Sequence, residues 1–73
     1  MLVEDFAKAV LEAQELQEKS FNFKTKKYKK SHEECALEAC EKFKIDERFS
    51  TPIYLLNSDC WNDIQSWCQE VLG

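Results

Sequence analysis

Apolar residues recur at three- and four-residue spacing through the first eighteen positions: Leu2, Val3, Phe6, Val10, Ala13 and Leu16. The positions between them are mostly Glu, Gln, Lys and Ala, all good helix formers. The spacing predicts an amphipathic helix over 2–18. Ser31 opens a second helix. It is an N-cap residue, and Glu34 three positions on completes a capping box. Cys35, Ala36, Ala39, Cys40 and Phe43 form the apolar stripe of that helix. Ser50-Thr51-Pro52 is a third start signal, with proline at the first helical position. The Ile-Tyr-Leu-Leu run that follows also fits a short buried strand. Ser58 or Asp59 is expected to cap a last helix, whose stripe is Trp61, Ile64, Trp67, Cys68, Val71 and Leu72.

Residues 21–30 break the helical rhythm. Phe21, Phe23 and Thr25 alternate with Asn22, Lys24 and Lys26, which is a strand pattern. One strand makes no sheet, so it would need Ile53–Leu56 or another chain beside it. The expected fold is all-α, a single domain over 1–73 with three main helices and a short fourth. The alternative is an α+β fold with two short strands at 21–25 and 53–56.

Composition narrows the function. Seventy-three residues bury only about 60% of the unfolded surface. At this size disulfides, a metal or a partner usually add stability. No apolar run approaches the ~18–20 residues of a membrane span. No charged segment followed by an unbroken apolar stretch suggests a secretory signal. The chain carries a net charge of −4, and that charge is segregated. Residues 1–20 sum to −3, residues 21–30 to +5 and residues 31–73 to −6.

Four cysteines, at 35, 40, 60 and 68, invite a disulfide or zinc reading. Within a helix, C-x4-C puts two thiols about 140° apart around the axis, and C-x7-C spans about two turns. Neither spacing converges on one ion as a zinc knuckle does. A set of His32, Cys35, Cys60 and Cys68 is the one combination worth keeping. Buried free thiols in a reducing cytoplasm are the expectation, with no metal and no cofactor. His32, the single histidine, is the only base for a nucleophilic site. Its place at a helix start reads as a solvated first-turn residue. The lone glycine excludes phosphate-binding glycine loops. A non-enzymatic protein is therefore expected.

Two binding surfaces stand out. Trp61 and Trp67 lie six apart, about 120° around a helix, so one small core can hardly hold both. One of them is a candidate interface anchor, since Trp is enriched at hot spots. Lys24, Lys26, Lys27, Tyr28, Lys29 and Lys30, with Phe21 and Phe23 just before, form a basic aromatic segment suited to nucleic acid. Against that, there is only one arginine, Arg48, and the following block is acidic. A helix over 31–44, a turn at 45–47 and a helix near Pro52 also outline a helix-turn-helix, though without a basic recognition helix.

From Ser31 onward the run SHEECALEACEKFKIDERFS places Ser-x-x-Glu, then Glu41, Ile45, Glu47 and Phe49, ahead of a further helix containing Ile64. Residues 31–72 are similar in this to the central helical region of the late-transcription coactivators of T4-type bacteriophages. The resemblance implies a helical surface for RNA polymerase, carried here by Phe43, Ile45 and Phe49. The clamp-binding C-terminal tail of that family has no counterpart before Gly73. The expectation is a cytoplasmic interaction module, adaptor or inhibitor, acting on a host machine such as RNA polymerase. The alternative is a small DNA-binding regulator using Lys24–Lys30. A homodimer remains open for either.

Overall fold

A computed structural model of the chain describes residues 2–73. The elements run α1 (Val3–Lys19), β1 (Phe21–Asn22), β2 (Lys27–Tyr28), α2 (His32–Lys42), a 3-10 turn (Glu47–Phe49), α3 (Ser50–Asp59) and α4 (Trp61–Leu72). The mostly-α bundle expected from the pattern is present. The strand expected over 53–56 in the alternative fold is not, because Ile53–Leu56 lies inside α3. Phe21 and Asn22 are extended, but the segment finds its partner in itself. It turns back after two residues, pairing Phe21 with Tyr28 and Asn22 with Lys27.

Local chemistry sets each boundary. Glu4 and Asp5 in the first turn of α1 and Lys19 in the last complement the helix dipole. Ser20 closes α1: its hydroxyl donates to the Gln17 carbonyl at 2.8 Å and its N–H reaches the Leu16 carbonyl at 3.1 Å. Ser31 caps α2, accepting the Glu34 N–H at 3.2 Å. α2 ends in a Schellman motif. The Ile45 N–H bonds the Cys40 carbonyl at 2.8 Å and the Lys44 N–H bonds the Glu41 carbonyl at 3.3 Å. Lys44, with φ 55°, holds the left-handed position that glycine usually takes.

Asp46 caps the 3-10 turn, accepting the Arg48 N–H at 2.9 Å. α3 follows at once. Neither Ser58 nor Asp59 caps α4, because α3 runs on through both. Only Cys60 separates the two helices, and it sits at the cap position without a side-chain bond. The break is a single residue, with φ −142° and ψ 54°, so the capping-type side chains are used up in the last turn of α3.

Gln17 meets Cys35 and Glu12 meets Lys42, so α1 and α2 run antiparallel. α1 also packs against α3 and α4. Because it is covered from more than one side, its buried face is wider than the predicted stripe. Ala7, Ala9, Gln14 and Gln17 join Val10 and Ala13 inside, whereas Leu2 and Val3 are exposed. The rest of the core is Cys35, Ala36, Ala39, Cys40, Ile53, Ile64 and Cys68. None of the two Trp, two Tyr and five Phe side chains is fully buried.

A polar seam crosses this core. The Gln14 amide donates to Asn57 Oδ1 at 2.9 Å and to the Trp61 carbonyl at 3.1 Å. Gln14 Oε1 has no partner among the described residues. Gln17 donates to the Lys30 carbonyl at 3.0 Å and accepts from the Cys35 thiol at 3.1 Å. One glutamine thus ties α1 to α2 and to the base of the hairpin.

Candidate interaction surfaces

The hairpin begins where Ser20 ends α1. Asn22 shapes its turn: Oδ1 accepts the N–H of Lys24 at 2.9 Å and of Thr25 at 3.4 Å, an Asx turn. Lys26, with φ 56°, takes the left-handed residue and bonds the Asn22 carbonyl at 2.7 Å. Lys29 then closes the ladder on the Ser20 carbonyl at 2.9 Å. Directly opposed residues share a face of a two-stranded ribbon, so Phe21 and Tyr28 meet, with ring centroids 4.9 Å apart. Phe23 and Phe21 form a T-shaped pair, with ring centroids 5.0 Å apart and planes at 83°. The Phe23 side chain is left 84% exposed.

The lysines of this segment divide into two kinds. Lys30 is half-buried and chelated by both Glu38 oxygens at 2.8 Å, which raises its pKa. It is a structural clamp between the hairpin and α2, and leaves the set of candidate nucleic-acid contacts. Lys24, Lys26, Lys27 and Lys29 are exposed and form no ion pair among the described residues. Lys19, Lys42 and Arg48 are paired, with Glu15, Glu12 and Asp46. Among the described residues four of the unpaired Lys and Arg side chains therefore gather on one hairpin, and only Lys8 and Lys44 lie elsewhere. A cleft of about 440 Å³ runs beside the rings, lined by Lys19, Ser20, Phe21, Asn22, Phe23, Lys24 and Lys29.

The second surface lies at the other end of α2. Leu37, Cys40, Glu41, Ile45 and Glu47 line an open groove of about 470 Å³. Its floor is apolar and two glutamates stand at its edge. The Schellman bond from Ile45 to Cys40 turns Ile45 back over the helix, which makes this wall. Leu37 is 40% exposed and escaped the sequence reading, although its position off the stripe of α2 was the available signal.

The aromatic candidates separate by exposure. Phe49 and Trp67 are each 37% exposed and present apolar surface to solvent. Phe43 is half-buried against the core, with the Lys42 ammonium 5.6 Å from its ring centre. Trp61 is half-buried and lies 5.9 Å from His32, roughly edge to face. His32 is thus half-buried in an aromatic contact rather than solvated as expected, and of the two tryptophans, between which the sequence did not choose, Trp67 is the freer one. Proximity of α2's first residue to α4's first residue, invisible in the sequence, makes the difference.

The four cysteines are free, with Cys35, Cys40 and Cys68 buried and Cys60 half-buried. Burial pushes the Cys68 thiol up to about 11 and also raises Cys35 and Cys40. No group of three or more His, Cys, Asp or Glu among the described residues is placed to hold a metal ion. No helix among the described residues is long and apolar enough to cross a membrane. No family model, curated protein or solved structure matches the chain.

Proposed function

We propose that this chain is a non-enzymatic module that binds another protein. One observation carries the reading: the interior is assembled from Ala, Cys, Val and Ile, while none of the large aromatic side chains is fully buried. Aromatic surface is enriched at protein interfaces and supplies most of their hot spots. The contact surface we assign is the groove of Leu37 and Ile45 with the neighbouring turn residue Phe49, and Trp67 on α4 as a second anchor. Glu41 and Glu47 at the groove favour a partner segment that carries basic residues beside an apolar side chain. The free thiols fit action in the cytoplasm, where such groups stay reduced. RNA polymerase is the first partner to try, on the resemblance of residues 31–72, and a regulator or inhibitor of such a machine is the role proposed.

The experiment is affinity capture with purified host RNA polymerase and, in parallel, with lysate treated with nuclease. Phe49→Ala, Trp67→Ala and Leu37→Glu are compared with the parent after their circular dichroism shows an unchanged fold. A stoichiometric protein that survives nuclease and is lost in these variants supports the proposal. Sedimentation as a dimer that the same variants dissociate would make the partner a second copy. Capture that none of the variants weakens would remove the assigned surface.

A further inference from the structure

The protein-contact reading leaves the basic aromatic hairpin without a task. We propose that the hairpin is a separate binding site for single-stranded nucleic acid, held by its backbone phosphates and by stacking of a base on Phe23. Three features converge. Lys24, Lys26, Lys27 and Lys29 are exposed cations with no carboxylate partner among the described residues. Phe23 is 84% exposed and touches Phe21 with ring edge against ring face, a geometry that leaves much of its surface free. The cleft of about 440 Å³ alongside joins Phe21 and Phe23 to Lys24 and Lys29, so apolar and cationic groups line one opening.

Phosphate neutralisation by lysine and base stacking on an aromatic ring are the two components of sequence-tolerant single-strand binding. A duplex hides its base faces and has nothing to offer Phe23. An acidic peptide that lacks aromatic residues would satisfy the lysines and leave Phe23 unstacked. The single arginine is Arg48, bound to Asp46. Arginine forks to guanine edges are thus absent from the hairpin, and strong sequence preference is not expected. The net −6 of residues 31–73 repels a polyanion from the helical body and confines the contact to the hairpin.

The hairpin is pre-formed for this use. Asn22 holds the turn through two backbone N–H groups, and Gln17 and the Lys30–Glu38 pair fix its base to the helices. Substitutions at the tip therefore test binding with little risk to the fold.

The test is fluorescence anisotropy of labelled dT12 and rU12 with the full chain, over 50–200 mM NaCl. A 12-base-pair duplex and a poly-glutamate peptide serve as competitors. Four phosphate contacts imply a roughly fiftyfold loss of affinity across that salt range. Phe23→Leu keeps the apolar volume but removes the ring, and should weaken binding about tenfold. Phe23→Trp should restore it. Lys24→Gln, Lys26→Gln, Lys27→Gln and Lys29→Gln combined should weaken binding strongly at 50 mM NaCl and flatten the salt slope of what remains, with unchanged circular dichroism. Equal affinity for the duplex, or Phe23→Leu behaving as the parent, overturns the stacking role and with it the proposal. Binding of the poly-glutamate peptide at protein concentrations where dT12 does not bind assigns the hairpin to an acidic protein instead.

Discussion

The core shared by the helices is built mostly of small side chains: Ala7, Ala9, Ala13, Ala36 and Ala39 with Cys35, Cys40 and Cys68. In the hairpin the arrangement is reversed: Phe21, Phe23 and Tyr28 cluster at the surface among lysines, on strands of two residues each. The helical region buries its small apolar side chains for its own stability and leaves Leu37, Phe49 and Trp67 partly in water. The hairpin is held by polar bonds from Asn22, Gln17 and Ser20, and its rings are left over. An aromatic cluster that does little for the fold is available for a partner, and that division of labour teaches where to look for function.

The largest expected effect tests the helical side. Ile53 is fully buried, and Ile53→Ala should destabilise by about 3 kcal/mol through lost contacts and a cavity. In a chain of this size that approaches the whole stability, so urea titration should show a large fall in midpoint.

Alkaline titration comes next. Between pH 9 and 11 the native Cys68 keeps a proton that the unfolded chain has already lost. Its contribution is therefore fully present below pH 9 and declines as pH rises toward 11. Melting temperature should fall over that window, and Cys68→Ala should reduce the pH dependence.

Gln17→Ala strikes the joint between the two regions. It leaves the Lys30 carbonyl and the Cys35 thiol without their partner, at about 1–2 kcal/mol. Amide hydrogen exchange should speed up at the hairpin base more than in α3. Equal protection loss in both regions would show that they unfold as one unit.

Lys44→Gly and Lys26→Gly make the same change in each region, relieving a left-handed residue. Each should raise stability by up to about 1 kcal/mol. Only Lys26→Gly should weaken dT12 binding, because only it removes a hairpin cation.

The smallest stability effect sharpens the comparison most. Phe23→Ala should change the unfolding free energy by less than about 0.5 kcal/mol, since the side chain is largely in water. A loss well beyond that would mean the rings hold the hairpin together, and the contrast drawn above would fail.

Much of the architecture was legible in the chain because helical signals are local. The Ser31 cap and the stripe from Cys35 to Cys40 depend on residues within one or two turns, and both are found in α2. The start expected with Pro52 as the first helical residue falls two residues earlier, at Ser50 after the Phe49 cap, because the 3-10 turn leads straight into α3. The candidate surfaces were legible only in part. Lys24, Lys26, Lys27 and Lys29 are exposed as their charge suggests, but Lys30 is held by Glu38 eight residues away, on the next helix. Leu2 and Val3 match the period of α1 yet stay outside, because period identifies a face and not how far a neighbour covers it.

By itself the sequence determined the helices, their order, the concentration of positive charge between the first two, and an apolar supply richer in aromatics than a small core holds. The tertiary structure decided which of those side chains are free. It buried Gln14 and Gln17 and brought His32 against Trp61. It turned residues 21–28 back on themselves, and it set Leu37 beside Ile45 as a groove. The reason is physical: helix propensity and capping act over a few bonds along the chain, whereas exposure depends on which distant segments pack together.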